Sequence, residues 1–212
     1  MSENVRGDYV RDGAEIYRQS FATIRAESDL ARFPTDLESV IVRMIHACGQ
    51  TDLTDDVVAT PRVVAAARAA LAAGGPILCD THMVASGVTR VRLPADNEVR
   101  CHLREPGIAE RAERIGNTRT AAALEYWRAD LERSVVAIGN APTALFALLD
   151  LIDDGWPRPA AIIGAPVGFV GAAESCAALA SRDDLEFITI TGRRGGSAIT
   201  AAAVNALAST AE

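Results

Sequence analysis

The chain has 212 residues, a formal net charge of −7, 49% hydrophobic and 23% charged residues. That is globular composition, far from the polar, highly charged regime of disorder, and one compact domain over 1–212 is expected at this length. The acidic balance offers no basic nucleic-acid face, and neither a secretory leader nor a run of about 20 apolar residues is visible, so no membrane span and a cytoplasmic protein are expected.

In chain order, the first half reads as helical. One helix is predicted from about Asp12 through Ile24 and a second from about Thr35 to Cys48. A third should follow Thr60-Pro61, which has the form of an N-cap and first-turn proline, and should end at Gly74-Gly75. Pro76–Asp80 reads as a strand, Thr81–Val88 as a short helix and Val99–Leu103 as an alternating strand. Helical pattern resumes from about Pro106 to Leu131 with a break near Gly116-Asn117.

The second half repeats one unit three times. Ser134–Gly139, Ala160–Ala165 and Phe187–Gly192 are short apolar strands. Each runs into a turn (Asn140–Thr143, Pro166–Gly171, Arg193–Ser197) and then an Ala- and Leu-rich helix. Strands apolar on both faces that alternate with helices predict parallel βαβ units and a three-layer α/β domain with a largely parallel sheet. Ligands of such sheets bind beyond the carboxyl ends of the strands, where the turns and the helix N-termini lie.

Three histidines narrow the chemistry. On a wheel of about 100° per residue, Leu37, Val40, Ile41, Met44 and Cys48 share one face, and His46 lies roughly 180° from Leu37 beside Ser39, Val42 and Arg43. From the wheel alone it is a solvated surface histidine, and Cys48 is poorly placed for a Cys–His dyad. Cys79-Asp-Thr-His82 and Cys101-His102 resemble half of a zinc site, but adjacent strand residues face opposite ways and no second pair supports them, so no metal is expected. The four cysteines are scattered and are expected as reduced thiols, at least three of them buried. Gly164-Ala-Pro-Val-Gly168-Phe-Val-Gly171 is not the G-x-G-x-x-G of a dinucleotide site, and neither a phosphate-binding G-x-x-x-x-G-K-[ST] nor a G-x-S-x-G elbow occurs.

Five segments carry a resemblance over nearly the whole chain: Ile16–Arg25, Arg43-Met-Ile-His-Ala-Cys-Gly49, Ile138-Gly-Asn-Ala-Pro-Thr-Ala-Leu145, Pro166–Ser175 and Gly192-Arg-Arg-Gly-Gly-Ser197. Together they resemble the precorrin-8X methylmutase family of cobalamin biosynthesis. The resemblance implies a flavodoxin-like fold, a homodimer, and an isomerase that moves a methyl group from C-11 to C-12 of precorrin-8X to give hydrogenobyrinic acid, without a cofactor. It implies His46 as the catalytic acid and Ser20 as a substrate-binding position, and allows hand-off of product to the next enzyme. Cys176 stands where many members carry Lys, and Gly171 where Asn is frequent.

A methyl shift of this kind needs the macrocycle held in one geometry and its π-system polarised by a proton, which a histidine can supply. Since the protein is acidic, the substrate carboxylates need local anchors. Candidates are the helix starts after Asn140, Gly168 and Gly196 and the turn arginines Arg43, Arg90, Arg119, Arg193 and Arg194. Ser20 shares a helical face with Ile16, Tyr17 and Ile24; a serine there ordinarily bonds its own helix backbone. A tetrapyrrole carrier and a nucleotide-dependent oxidoreductase are the alternatives, separated from the isomerase by turnover and by stoichiometric NAD(P) binding.

Overall fold

The computed structural model describes residues 9–209. Helix α1 (Gly13–Glu27) begins at Asp12, whose carboxylate accepts from the backbone N–H groups of Ala14 and Glu15. Helix α2 (Thr35–Cys48) ends at Gly49, where φ is 70°. Strand β1 (Val57–Ala59), helix α3 (Val63–Ala72), strand β2 (Ile77–Cys79), helix α4 (His82–Gly87) and strand β3 (Val99–Arg100) follow. Helices α5 (Ile108–Ile115) and α6 (Arg119–Ala123) are parted at Gly116, which takes a left-handed φ of 62°. The chain closes with β4 (Val135–Ile138), α7 (Pro142–Asp153), β5 (Ala161–Gly164), α8 (Ala172–Ala180), β6 (Phe187–Ile190) and α9 (Ser197–Ala208).

The strands form one six-stranded sheet in the order β1-β6-β5-β4-β2-β3. All neighbours are parallel except β1, which pairs antiparallel with β6 through Val57↔Ile190 and Ala59↔Ile188. Counted within the parallel set, the order is 2-1-3-4-5, a doubly wound arrangement whose switch point falls between β2 and β4. The three repeated units are β4-α7, β5-α8 and β6-α9, with the three strands mutually parallel as their pattern predicts.

The period of two along each strand sorts the core into two layers. Ile77, Cys79, Val135, Ala137, Ile163, Ile188 and Ile190 pack beneath α2, α3, α4 and α9, with Phe21 and Ile24 of α1 outside them. Leu78, Val136, Ile138, Ile162 and Phe187 pack on the other face against α7, α8 and the single turn at Leu124–Trp127. Every residue of β4, β5 and β6 is buried, so these strands must be apolar on both faces.

Three local readings are corrected. Thr60 does not cap α3: its hydroxyl donates to the Glu186 carboxylate at 2.7 Å and accepts from the Phe187 N–H, locking the end of β1 to β6, and α3 starts at Val63. The strand predicted to reach Leu103 stops at Arg100, because only Ile77 and Leu78 are there to pair with it. Val42, placed on the polar side of α2, is fully buried, since α1 and α9 cover that helix from two directions. All four cysteines are free thiols as expected, but only Cys79 and Cys176 are buried, whereas Cys48 and Cys101 are half-buried.

Candidate active site

His46 sits in the last turn of α2 and is exposed. Its environment is built by α1, which lies across α2 and is tied to it by the Arg25–Glu38 ion pair at 3.0 Å. Three α1 residues from two successive turns meet the imidazole. Ser20 Oγ is hydrogen-bonded to His46 Nδ1 at 2.8 Å. The Tyr17 ring lies 5.1 Å away, tilted by 36°, and the Phe21 ring meets it edge-on at 5.4 Å and 87°. The spacing 17, 20, 21 is what one face of a helix provides. Arg43, one turn before His46, lies with its guanidinium 5.3 Å from the Phe21 ring centre.

The imidazole borders two hollows. One, of about 270 Å³, is lined by Ser20, Thr23, Glu27, Gly49 and Thr51. The other, of about 150 Å³, is lined by Tyr17, Arg43, Thr89, Arg92 and Asn205. A larger hollow of about 630 Å³ lies along α1 beyond Tyr17 and Phe21, with Arg18, Arg25 and Arg92 in its wall. His46, Ser20 and Arg43 thus form one group.

Arg90 lies in the single turn after α4, Arg90–Arg92, and the remaining predicted anchors form a second group at the carboxyl edge of the sheet. Arg119 opens α6 and is exposed; that helix start is joined to α7 by the 2.8 Å hydrogen bond between Thr118 and Thr143. Asn140 is exposed just before α7. Gly168 and Gly196 lie in the β5–α8 and β6–α9 loops, which are zipped together by hydrogen bonds from Gly168 N–H to Arg193 O and from Gly196 N–H to Ala165 O. Gly195 permits this approach, because a Cβ there would fall 2.3 Å from the Ala165 carbonyl. Arg193 lies over the ring of Phe169, which with Val170 projects almost fully into solvent. Neither hollow beside His46 includes a member of this second group. Arg194 reaches Asp52 and Asp56 just past the end of α2.

Two predicted anchors are otherwise engaged. Arg194 is held by the Asp52 and Asp56 carboxylates, so its charge is already matched. The backbone N–H groups before α7 are filled from within by Asp80, at the end of β2. Its buried carboxylate accepts from Gly139 N–H at 3.2 Å and from Asn140 and Ala141 N–H at 2.8 Å each. Burial pushes this carboxyl above its usual range, and the N–H donors pull it part of the way back. Asp80 therefore supplies the negative charge that a helix start at the switch point attracts, and leaves Asn140 only its side chain to offer a ligand. Nothing local in the sequence signals this contact, which joins residues about 60 positions apart.

Among the described residues, no group of three or more His, Cys, Asp or Glu side chains converges. His102 stacks on Tyr126 and bonds Glu105 at 3.1 Å through Nδ1, and Cys101 lies beyond the end of β3. No helix of the described residues is long and apolar enough to cross a membrane. Cys176 is a buried residue of α8, its thiol pushed up by burial and facing the Gly164 carbonyl. Gly171 has φ 78°, the left-handed region that glycine and, next to it, asparagine tolerate.

A doubly wound sheet with turns and helix starts at its carboxyl edge, and a solvent-facing histidine held at Nδ1 between two hollows, is the architecture of a small-molecule α/β enzyme. The precorrin-8X methylmutase family model matches residues 15–210. A precorrin-8X methylmutase of Pseudomonas aeruginosa is 61% identical over 97% of this chain and 99% of its own. A cobalt-precorrin-8 methylmutase of Priestia megaterium is 34% identical over 91% of this chain and 86% of its own. The crystal structure of a precorrin-8x methyl mutase from Thermus thermophilus superposes with a TM-score of 0.84 at 36% identity, covering 92% of this chain and 95% of that one. The chain belongs to the precorrin-8X methylmutase family and is an enzyme of it.

Proposed function

We propose that this enzyme moves a methyl group from C-11 to C-12 of precorrin-8X to give hydrogenobyrinic acid, with His46 as general acid, in the cytoplasm. The observation that carries the reading is His46 itself, exposed yet fixed by Ser20 Oγ, Tyr17 and Phe21 between two hollows. A surface histidine without a task has no need of three partners from another helix. Protonation of the conjugated macrocycle lowers the barrier to migration by drawing electron density from the bond that breaks, and the same nitrogen recovers its proton once the methyl group has moved. The step needs no external nucleophile. The 61% identity to a relative named for precorrin-8X, against 34% to one named for the cobalt form, supports the metal-free substrate.

The hollows bordering His46 hold about 270 and 150 Å³, below the 300–1,000 Å³ usual for small-molecule sites, and a tetrapyrrole is large. This supports a homodimer in which a second copy closes the site and its carboxyl-edge loops, with Arg119, Asn140, Gly168, Arg193 and Gly196, face the macrocycle that His46 protonates. Phe169 and Val170, 84% and 88% exposed, suit a surface that another copy or the tetrapyrrole covers. A product held at such an interface suits direct transfer to the next enzyme. The test is turnover. Purified enzyme mixed with precorrin-8X is expected to convert its absorption spectrum to that of hydrogenobyrinic acid. An unchanged spectrum, with tetrapyrrole bound, would make the protein a carrier.

A further inference from the structure

We infer that Ser20 is a positioning residue for His46: its hydroxyl accepts from Nδ1–H, so that Nε2 is the nitrogen that gives up and recovers the proton. The inference rests on the general-acid reading of His46. Its starting point is an unusual choice of partner. Serine and threonine hydroxyls in helices ordinarily donate to a carbonyl three or four residues back. Here Ser39 donates to Asp36 O, Ser175 to Ala172 O, Ser181 to Ala178 O, and Thr23, on α1 itself, to Gln19 O. Ser20 instead spans from α1 to α2 and bonds His46 Nδ1 at 2.8 Å.

The chemistry of a hydroxyl gives that bond a function. A hydroxyl both donates and accepts. Its oxygen accepts from Nδ1–H of the imidazolium and goes on accepting from the same N–H in the neutral ring that remains when Nε2 has released its proton, the Nδ1–H tautomer. His46 can therefore release the Nε2 proton and take it back on the free Nε2 lone pair without losing its partner in either state. A carboxylate at position 20 could only accept. Its charge would stabilise the imidazolium, as in a Ser–His–Asp triad, and so oppose proton release. Tyr17 and Phe21 hold the ring plane while the hydroxyl sets its tautomer. The other titratable and charged groups around the ring are Glu27 on α1, Arg43 on α2 and Arg92 after α4, with neutral Asn205 on α9. None of them is the hydrogen-bond partner of Nδ1. The family resemblance makes Ser20 a substrate contact; the bond to Nδ1 makes it act through His46.

The experiment compares wild type, Ser20→Ala, Ser20→Thr, His46→Ala and the Ser20→Ala/His46→Ala double variant on precorrin-8X. The ¹⁵N shifts of the His46 ring are followed in the proteins that retain it. Loss of one hydrogen bond should lower kcat roughly threefold to tenfold in Ser20→Ala, with KM within about twofold of wild type. Ser20→Thr should restore kcat. The neutral ring should be the Nδ1–H tautomer in wild type and a mixture in Ser20→Ala. In the His46→Ala background the serine change should cost nothing more, because its effect passes through the ring. A raised KM with unchanged kcat, a full additional loss in the double variant, or an unaltered tautomer in Ser20→Ala would overturn the inference while leaving His46 as the acid. Wild-type turnover by His46→Ala would instead remove the general-acid reading on which it stands.

Discussion

Replacing Asp80 by Asn tests how the switch point is held together. Both carboxylate oxygens are used, Oδ1 by Gly139 N–H and Oδ2 by Asn140 and Ala141 N–H. An asparagine has one acceptor oxygen. If that oxygen keeps the two 2.8 Å bonds, its NH₂ group must face Gly139 N–H, donor against donor, in a site where the residue is 2% exposed. An unsatisfied buried donor costs about 1–3 kcal/mol, and turning two charge-assisted bonds into neutral ones costs about 1 kcal/mol each. Against this stands the relief of burying a charge, the same desolvation that raises the carboxyl. The net loss should be about 3 kcal/mol, a substantial part of the 5–15 kcal/mol typical of a folded domain. For a chain of this size it corresponds to a fall in Tm of about 6–12 °C. Urea titration followed by circular dichroism should show a lower midpoint at an unchanged slope. A loss below about 1 kcal/mol would refute the claim that Asp80 serves as the non-local cap of the α7 loop.

Two further outcomes concern acid stability and assembly. Asp184 bonds Arg182 and Arg158, which hold its carboxyl far below the usual range, so its contribution is present above the ordinary value of 3.8 and is lost as pH falls below it. Asp184→Asn should therefore match wild type in the shape of its stability profile near pH 7 while lacking part of the acid slope below about pH 4; identical acid slopes would contradict this. Light scattering at micromolar concentration should give twice the chain mass of 22.3 kDa, and a monomer with full activity would contradict the proposed shared site.

What the sequence revealed follows from how local each signal is. Strands β4, β5 and β6 were legible because burial on both faces leaves uninterrupted apolar runs before glycine-containing turns. Strand β1 was missed: it is three residues long, lies at the sheet edge, and its middle residue Val58 is exposed, so it carries neither a run nor a clear alternation. The end of β3 could not be read because it is set by the length of β2, its pairing partner. At the site, the helical wheel put His46 off the apolar stripe correctly. The bond from Ser20, 26 residues earlier, exists only once α1 lies across α2. The role of Asp80 was hidden for the same reason, as was the occupation of Arg194 by Asp52 and Asp56. Wheels and turn patterns report which face a residue occupies, and non-local pairs decide what it then touches.

The most direct test of the account is the rate and the product affinity of one His46→Ala preparation. Anchoring of the carboxylates is assigned to several groups and the proton to a single one. The rate should therefore fall by roughly 10²–10⁴-fold, the usual contribution of a general acid, while hydrogenobyrinic acid binds within a few-fold of wild type. Turnover by His46→Ala at the wild-type rate would contradict the claim that His46 delivers the proton.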